Sequence, residues 1–174
     1  KCDWSSDVCS SDLAAQYDAK IRVVKSIMHE DYTIAHLKEH REELGIEGLV
    51  YEMISWEKDY ERAILAAASD WIKSFVVKDF GTLLSLAEVA RSKKLPKLKI
   101  IPLEAIPKFS LSVPNDSDIL GVLSDYVRCD SKYSALLTFL FGNVLLVKNQ
   151  ESALRLSKSG YKTVTTDGEF FEAK

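Results

Sequence analysis

Five cations crowd one short stretch of this chain: Arg91, Lys93, Lys94, Lys97 and Lys99, set around Pro96. Such a cluster can neutralise nucleic-acid phosphates without reading bases, and its binding would fall steeply with salt. It can equally be the solvated end of a helix, where Lys and Arg complement the helix dipole. Lys148, Arg155, Lys158 and Lys162 form a looser set further on. His29, His36 and His40 are spaced by seven and four residues, which returns their rings to nearly one helix face. Together with Glu43 they could hold zinc, in a site that is open and lacks cysteine. The other reading makes them the polar flank of a helix. Trp56 and Trp71 bracket one helical stretch, either as a ligand platform or as core or interface anchors.

Signatures of catalysis are missing. The sequence contains no P-loop, dinucleotide fingerprint, HExxH, paired CxxC or nucleophile elbow. No spacing joins its carboxylates into an acid/base pair. No enzyme is indicated, and no cofactor is expected.

The first residues stand apart. Asp3-Trp-Ser-Ser-Asp-Val-Cys-Ser-Ser-Asp-Leu13 matches the translation of a widely used sequencing adapter, so residues 1–13 carry no information about the fold. They hold Cys2, Cys9 and Trp4, and one lysine against three aspartates. The net charge of −3 becomes −1 without them, and Cys129 is then the lone cysteine. A lone cysteine offers neither a disulfide nor a metal cage and reads as a small core residue in a reducing compartment. A near-neutral total neither demands nor forbids nucleic acid. Hydrophobic content of 47% is ordinary for a globular domain, and no apolar run approaches the ~20 residues of a membrane span. A soluble, cytoplasmic protein is the expectation.

The elements that must position these residues are written twice. Gly48-Leu-Val-Tyr-Glu-Met-Ile54, then Glu57 and Tyr60, is echoed by Gly121-Val-Leu-Ser-Asp-Tyr-Val127, then Asp130 and Tyr133. Phe75-Val-Val-Lys-Asp79 is answered by Leu145-Leu-Val-Lys-Asn149, and Leu98-Lys-Ile-Ile101 by Tyr161-Lys-Thr-Val164. A unit used twice predicts pseudo-twofold shape, a natural basis for self-association.

Residues 14–44 read as a helix without Pro or Gly. Its imperfect heptad seam has Lys20, Ile27, Ile34 and Arg41 at a, and Val23, Glu30, Leu37 and Leu44 at d. It suits either the end of a coiled-coil arm or an amphipathic helix packed on the domain. Residues 49–54 predict a strand or extended entry, 57–68 a helix with a close-packing alanine run, and 74–78 a strand. Residues 82–92 predict a helix with an apolar stripe of Leu83, Leu84, Leu86, Ala87 and Ala90, and 98–101 another strand. Residues 103–117, with Pro107, Pro114 and Asn115, predict a linker. In the second unit 118–127 is extended, 131–141 helical, 144–148 a strand, 151–159 a helix and 161–166 a strand. Asp167-Gly168 signals a two-residue hairpin into Glu169–Phe171. Tyr60 and Tyr133 are expected to pack each unit's helix onto its own strands. Helices alternating with strands place the chain in the α/β (α+β) class.

These residues resemble a known family. The order Gly48-Leu-Val50, Tyr60-Glu-Arg-Ala-Ile64, Phe75-Val-Val77 and Ile100-Ile-Pro-Leu103 is similar to the hinge domain of SMC (structural maintenance of chromosomes) proteins. Leu140-Phe-Gly-Asn-Val-Leu-Leu-Val147 and Gly160-Tyr-Lys-Thr-Val-Thr-Thr-Asp-Gly-Glu169 resemble it more sharply. The likeness runs over about residues 44–174 and is of the prokaryotic or archaeal type. It implies a non-enzymatic dimerisation domain with lobe I at 45–102, a linker at 103–117 and lobe II at 118–174. Residues 14–44 would be the end of a coiled-coil arm, and ATP-binding heads would lie at the arms' far ends. It further implies a role in chromosome segregation and condensation at the nucleoid, with lobe one of each protomer meeting lobe two of the other, a homodimer or a pair with a paralogous chain. DNA would be held at Arg91, Lys93, Lys94, Lys97 and Lys99. Resemblance and the unpaired-edge argument together place the dimer interface at Thr166, Glu169, Phe170 and Phe171. A glycine-rich tract, which in the family packs at that interface, would follow the last residue here. The rival reading is a small α/β ligand-binding or enzymatic domain, with a pocket at its strand C-termini.

Overall fold

The computed structural model describes residues 32–173. The adapter-like stretch 1–13, most of the expected arm helix and His29 lie outside the described residues. What is described of that helix, α1 (Tyr32–Glu39), ends earlier than residue 44, and a run of turns carries the chain to Gly45. Ile34 and Leu37, an a and a d position of the seam, are buried in the domain core. Lys38 of α1 pairs with Glu52. These last turns therefore use their apolar face against the domain.

Lobe one is built from β1 (Ile46–Leu49), α2 (Val50–Met53), β2 (Ile54–Trp56), a 3₁₀ turn (Lys58–Tyr60), α3 (Glu61–Ala68), β3 (Phe75–Val77), α4 (Phe80–Ser92) and β4 (Ile100–Pro102). Lobe two repeats the order: β5 (Ile119–Val122), a 3₁₀ turn (Leu123–Tyr126), β6 (Val127–Cys129), a second turn (Ser131–Tyr133), α5 (Ser134–Phe141), β7 (Val144–Val147), α6 (Gln150–Lys158), β8 (Lys162–Thr165) and β9 (Phe170–Phe171). The sheets run β1-β3-β4 and β5-β7-β8-β9. Their registers match residue for residue. Ile46, Gly48 and Leu49 face Val77, Val76 and Phe75; Ile119, Gly121 and Val122 face Val147, Leu146 and Leu145. Both ladders shift between the first two pairs. In each lobe a helix crosses over to a parallel strand, β3 to β4 through α4 and β7 to β8 through α6.

Residues 49–54 and 118–127 are not single extended segments. A turn of helix interrupts each, and the repeated glycine gives the reason. A Cβ on Gly48 would lie 3.1 Å from the Met53 side chain, and one on Gly121 3.2 Å from the Tyr126 hydroxyl. The turn folds back over its own strand, so that any side chain there would press on it. It also releases the chain from one sheet into a second pairing, β2 with β6. There Ser55 faces Arg128, which the repeat makes equivalent, flanked by Ile54 against Cys129 and Trp56 against Val127. The pseudo-twofold axis therefore passes through the middle of this ladder.

One hydrophobic core runs through α1 and both lobes, from Ile34 through Val76 and Leu136 to Val164. A satellite cluster of Leu145, Val147, Ala153 and Leu156 sits between the lobe-two sheet and α6, with Leu111 of the linker and Phe171 packed on it. Within the core the Tyr51 hydroxyl is buried without a hydrogen-bond partner, and burial, with Glu52 beside it, pushes its pKa up to about 12.

Two expectations need correcting. On α4, Leu86 is buried and Leu83, Ala87 and Ala90 are half-buried, but Leu84 is 67% exposed. Leu83, Leu86, Ala87 and Ala90 follow the i, i+3, i+4, i+7 stripe, and Leu84 stands about 100° off Leu83. The hairpin also does not turn on Asp167-Gly168. The Gly168 N–H donates to the Thr165 carbonyl (3.0 Å), so Thr166 and Asp167 occupy the corner, and Gly168 follows at φ +90°. That is a turn with a glycine bulge, whose positive φ suits glycine. Its Cβ position is also blocked, 2.9 Å from the Arg62 carbonyl of lobe one.

Candidate functional site

All five cations of the basic cluster are exposed, Arg91 at the end of α4 and the four lysines in the connection that leads to β4. Arg91 lies in the last turn of α4 and pairs with Glu88 at 3.0 Å. Lys93 is the residue after α4, with its ammonium 3.0 Å from His36 Nε2. Lys94 takes φ +52°, reversing the chain at the helix end. Lys99 donates to the Asp70 carbonyl (2.7 Å) and lies 5.0 Å over the Trp71 ring. Among the described residues no carboxylate pairs with Lys93, Lys94, Lys97 or Lys99. Arg91, Lys94 and Lys97 rim an open groove of roughly 420 Å³ floored by Ala87, Ala90, Leu95 and Leu98, beside the outer strand β4. Sequence reading found the rim and missed the floor, because Ala87 and Ala90 meet Leu95 and Leu98 only after the chain reverses.

In the looser set of lobe two, Arg155 and Lys162 are paired with carboxylates. Lys148 donates to the Ser117 carbonyl (2.6 Å), Arg155 reaches Asp116 (2.7 Å) and Asp118 (3.8 Å), and Lys162 meets Glu172 (2.6 Å). The contacts of Lys148 and Arg155 hold the end of the linker beside α6.

At the other sheet edge, β9 pairs only with β8 among the described residues. Phe170 is exposed, while Phe171 is half-buried on the satellite cluster. Glu169 is exposed; its N–H donates to Thr165 Oγ1 (3.1 Å), and Thr166 is half-buried in the corner of the turn. The four candidate interface residues thus share one hairpin but not one face.

The repeated tyrosines work between lobes, not within them. The Tyr60 ring packs on Tyr126 of lobe two, with centroids 4.5 Å apart. Tyr133 donates to Glu47 of lobe one at 2.7 Å. Burial, with the Glu47 carboxylate among the causes, raises the Tyr133 phenol pKa against the Lys132 ammonium that lowers it. Trp71 meets Phe139 of lobe two edge-on at 5.2 Å, so it anchors the lobe contact, and Trp56 donates to Glu61 at 3.3 Å. Glu47 had no signal in the sequence: it faces Tyr133 only because the β1 ladder bulges beside it. Cys129 is a free, half-buried thiol, raised in pKa by burial and then by Asp130, hence weakly reactive. In the described part of the histidine set, Glu39 and not Glu43 stands with His36 and His40.

A duplicated α/β body, lobes stapled around a central two-stranded ladder, a core shared with the entering helix and two outer strands at opposite lobes define a two-lobed association module. The family model describing the SMC proteins' flexible hinge domain matches residues 43–157, and the chain belongs to that family. The Smc chromosome partition protein of Fusobacterium nucleatum is 28% identical over 110 residues, 63% of this chain and 9% of that protein. The Aquifex aeolicus Smc is 29% identical over 131 residues, 74% of this chain and 11% of its own length. The chain thus spans about a tenth of these curated relatives. The SMC hinge domain of Geobacillus stearothermophilus, solved as an asymmetric dimer, superposes with a TM-score of 0.76 at 22% identity, covering 97% of this chain and 73% of that one. The Pyrococcus furiosus SMC hinge gives 0.72 at 23%, covering 89% and 82%. The fold is the SMC hinge fold.

Proposed function

We propose that this chain is the dimerisation hinge of an SMC chromosome-organising ATPase. It joins two coiled-coil arms, whose far ends carry the ATPase heads, and works in the cytoplasm on the nucleoid. The observation that carries the reading is the pair of open sheet edges on a hinge-family body: β4 closes lobe one and β9 closes lobe two, and among the described residues neither has an outer partner. An unpaired edge is a template for another chain, and a twofold arrangement of lobe one on lobe two satisfies both edges in both protomers at once. Light scattering over a concentration series tests it. A dimer that Phe170→Glu converts to monomer supports the reading; a monomer throughout the micromolar range leaves pairing with a separate paralogous chain, or the rival ligand-binding domain.

The uncompensated cations beside β4 support non-specific DNA contact as part of this role. Fluorescence anisotropy with duplex DNA across a salt series should give a slope that falls by about 1 for each of Lys94→Ala and Lys97→Ala, if each neutralises one phosphate. Absence of binding at low salt would remove DNA from the proposal.

A further inference from the structure

The end of α1 carries the run His36-Leu-Lys-Glu39-His40. One donor atom from each of His36, Glu39 and His40 lies within 4.8 Å of the others, and the two ring centroids are 5.0 Å apart. Two contacts orient the rings. His40 Nδ1 is 3.0 Å from the His36 carbonyl, which can only accept, so Nδ1 carries the proton and Nε2 the lone pair. The Lys93 ammonium, which can only donate, is 3.0 Å from His36 Nε2, so that nitrogen also presents its lone pair. An imidazole whose other N–H is held by a backbone carbonyl is the arrangement that prepares histidine for a metal. The Lys93 ammonium already places a cation against this donor set.

We propose that His36, Glu39 and His40 form a binding site for a divalent transition metal of the zinc class, with Lys93 as its built-in competitor. Two imidazoles and a carboxylate suit zinc, nickel or copper and disfavour calcium and magnesium, which take all-oxygen cages. Zinc–nitrogen bonds of about 2.0–2.1 Å place tetrahedral donors roughly 3.3 Å apart, so the side chains must close by no more than about 1.5 Å. Rotamer changes at the helix end supply that movement. A metal that takes His36 through Nε2 displaces the Lys93 ammonium, because the two cations would repel at the same lone pair. Three protein donors leave the fourth position to water. Lys93 caps the C-terminal end of α4 and His36 lies on the entering helix. Metal binding would therefore exchange a helix-to-lobe contact for a clip along the entering helix.

Cobalt(II) titration of the whole chain followed by absorption, with zinc competition, tests this. The expected result is saturable binding of one metal with a ligand-field spectrum free of the intense thiolate charge-transfer band that Cys2, Cys9 or Cys129 would add. His40→Ala should weaken affinity about tenfold or more. Lys93→Met, which leaves every ligand in place, should tighten it several-fold, and this arm does not depend on a ligand variant folding. No saturation by about 1 mM metal, a thiolate-dominated spectrum, or affinity unchanged by His40→Ala would overturn the site. Unchanged or weaker binding by Lys93→Met would overturn the role given to Lys93.

Discussion

Helices α3 and α5 occupy equivalent places in the two lobes, yet their side chains are opposites. Where α3 carries Ala63, Ala66, Ala67 and Ala68, α5 carries Leu136, Phe139, Leu140 and Phe141. The two helices touch across the pseudo-twofold axis, and the bulk of one is accommodated by the smallness of the other. Two copies of the α5 sequence would overfill the same space, and two copies of α3 would leave it empty. Backbone symmetry survives because strand register sets it; side-chain asymmetry is what joins the lobes into one core. The edges differ too. Lobe two gains β9 through its glycine-bulged hairpin, whereas lobe one runs from β4 into a short turn (Leu103–Ala105) and then the linker. The lobes thus present unlike edges, as pairing of lobe one with lobe two requires.

The sharpest way to break this comparison is to level the two helices. Leu136→Ala, at a fully buried site, should lower unfolding free energy by about 2–5 kcal/mol in urea titration. Its counterpart Ala63→Leu should cost about 1–3 kcal/mol by overpacking. If Ala63→Leu proved neutral, the complementary-bulk account would be wrong.

A second contrast is the phenol of Tyr51, buried in lobe one where lobe two has Ser124. Tyr51→Phe removes a buried hydroxyl that has no partner and should stabilise by about 1 kcal/mol. Because the folded pKa is raised to about 12, the wild type should lose stability as pH climbs from about 10 through that value, and Tyr51→Phe should flatten this loss in alkaline denaturation.

The smallest effects lie at the equivalent caps of α4 and α6. Asn149 accepts from the Ser152 N–H at 2.9 Å, and Asn149→Ala should cost about 1 kcal/mol at any pH where the chain is folded. Asp79 accepts from the Thr82 N–H and hydroxyl, both at 2.8 Å, and these bonds hold its carboxyl below the usual range. Its contribution is therefore present above the ordinary carboxylate pKa and lost as pH falls through the lowered value. Asp79→Asn should keep the cap and abolish that part of the acid dependence, whereas lobe two's cap has none to lose.

Much of the fold was legible because strand and helix patterns are local. Phe75-Val-Val77 and Val144–Val147 are aromatic, β-branched or aliphatic runs between polar residues, and the apolar stripe of α4 marks a helix. The inserted turns were not legible, since Val50–Met53 and Leu123–Tyr126 carry no Gly or Pro to mark a break and begin with residues that strands accept. Of the candidate site, the basic rim was visible as composition, but its apolar floor and the contact of Lys93 with His36 needed the chain to return from α4 to α1.

By itself, then, the sequence determined that one unit is used twice and the order of its main strands and helices, because these follow from spacing and side-chain type along a few neighbouring residues; its family entered as a resemblance of motifs. Only the tertiary structure decided that Tyr60 and Tyr133 reach across to the other lobe, that Glu47 meets Tyr133 and that Ser55 faces Arg128. The physical reason is sequence distance. These contacts join residues dozens of positions apart, whose partners are chosen by how two cores of unequal bulk fit together and not by any local preference.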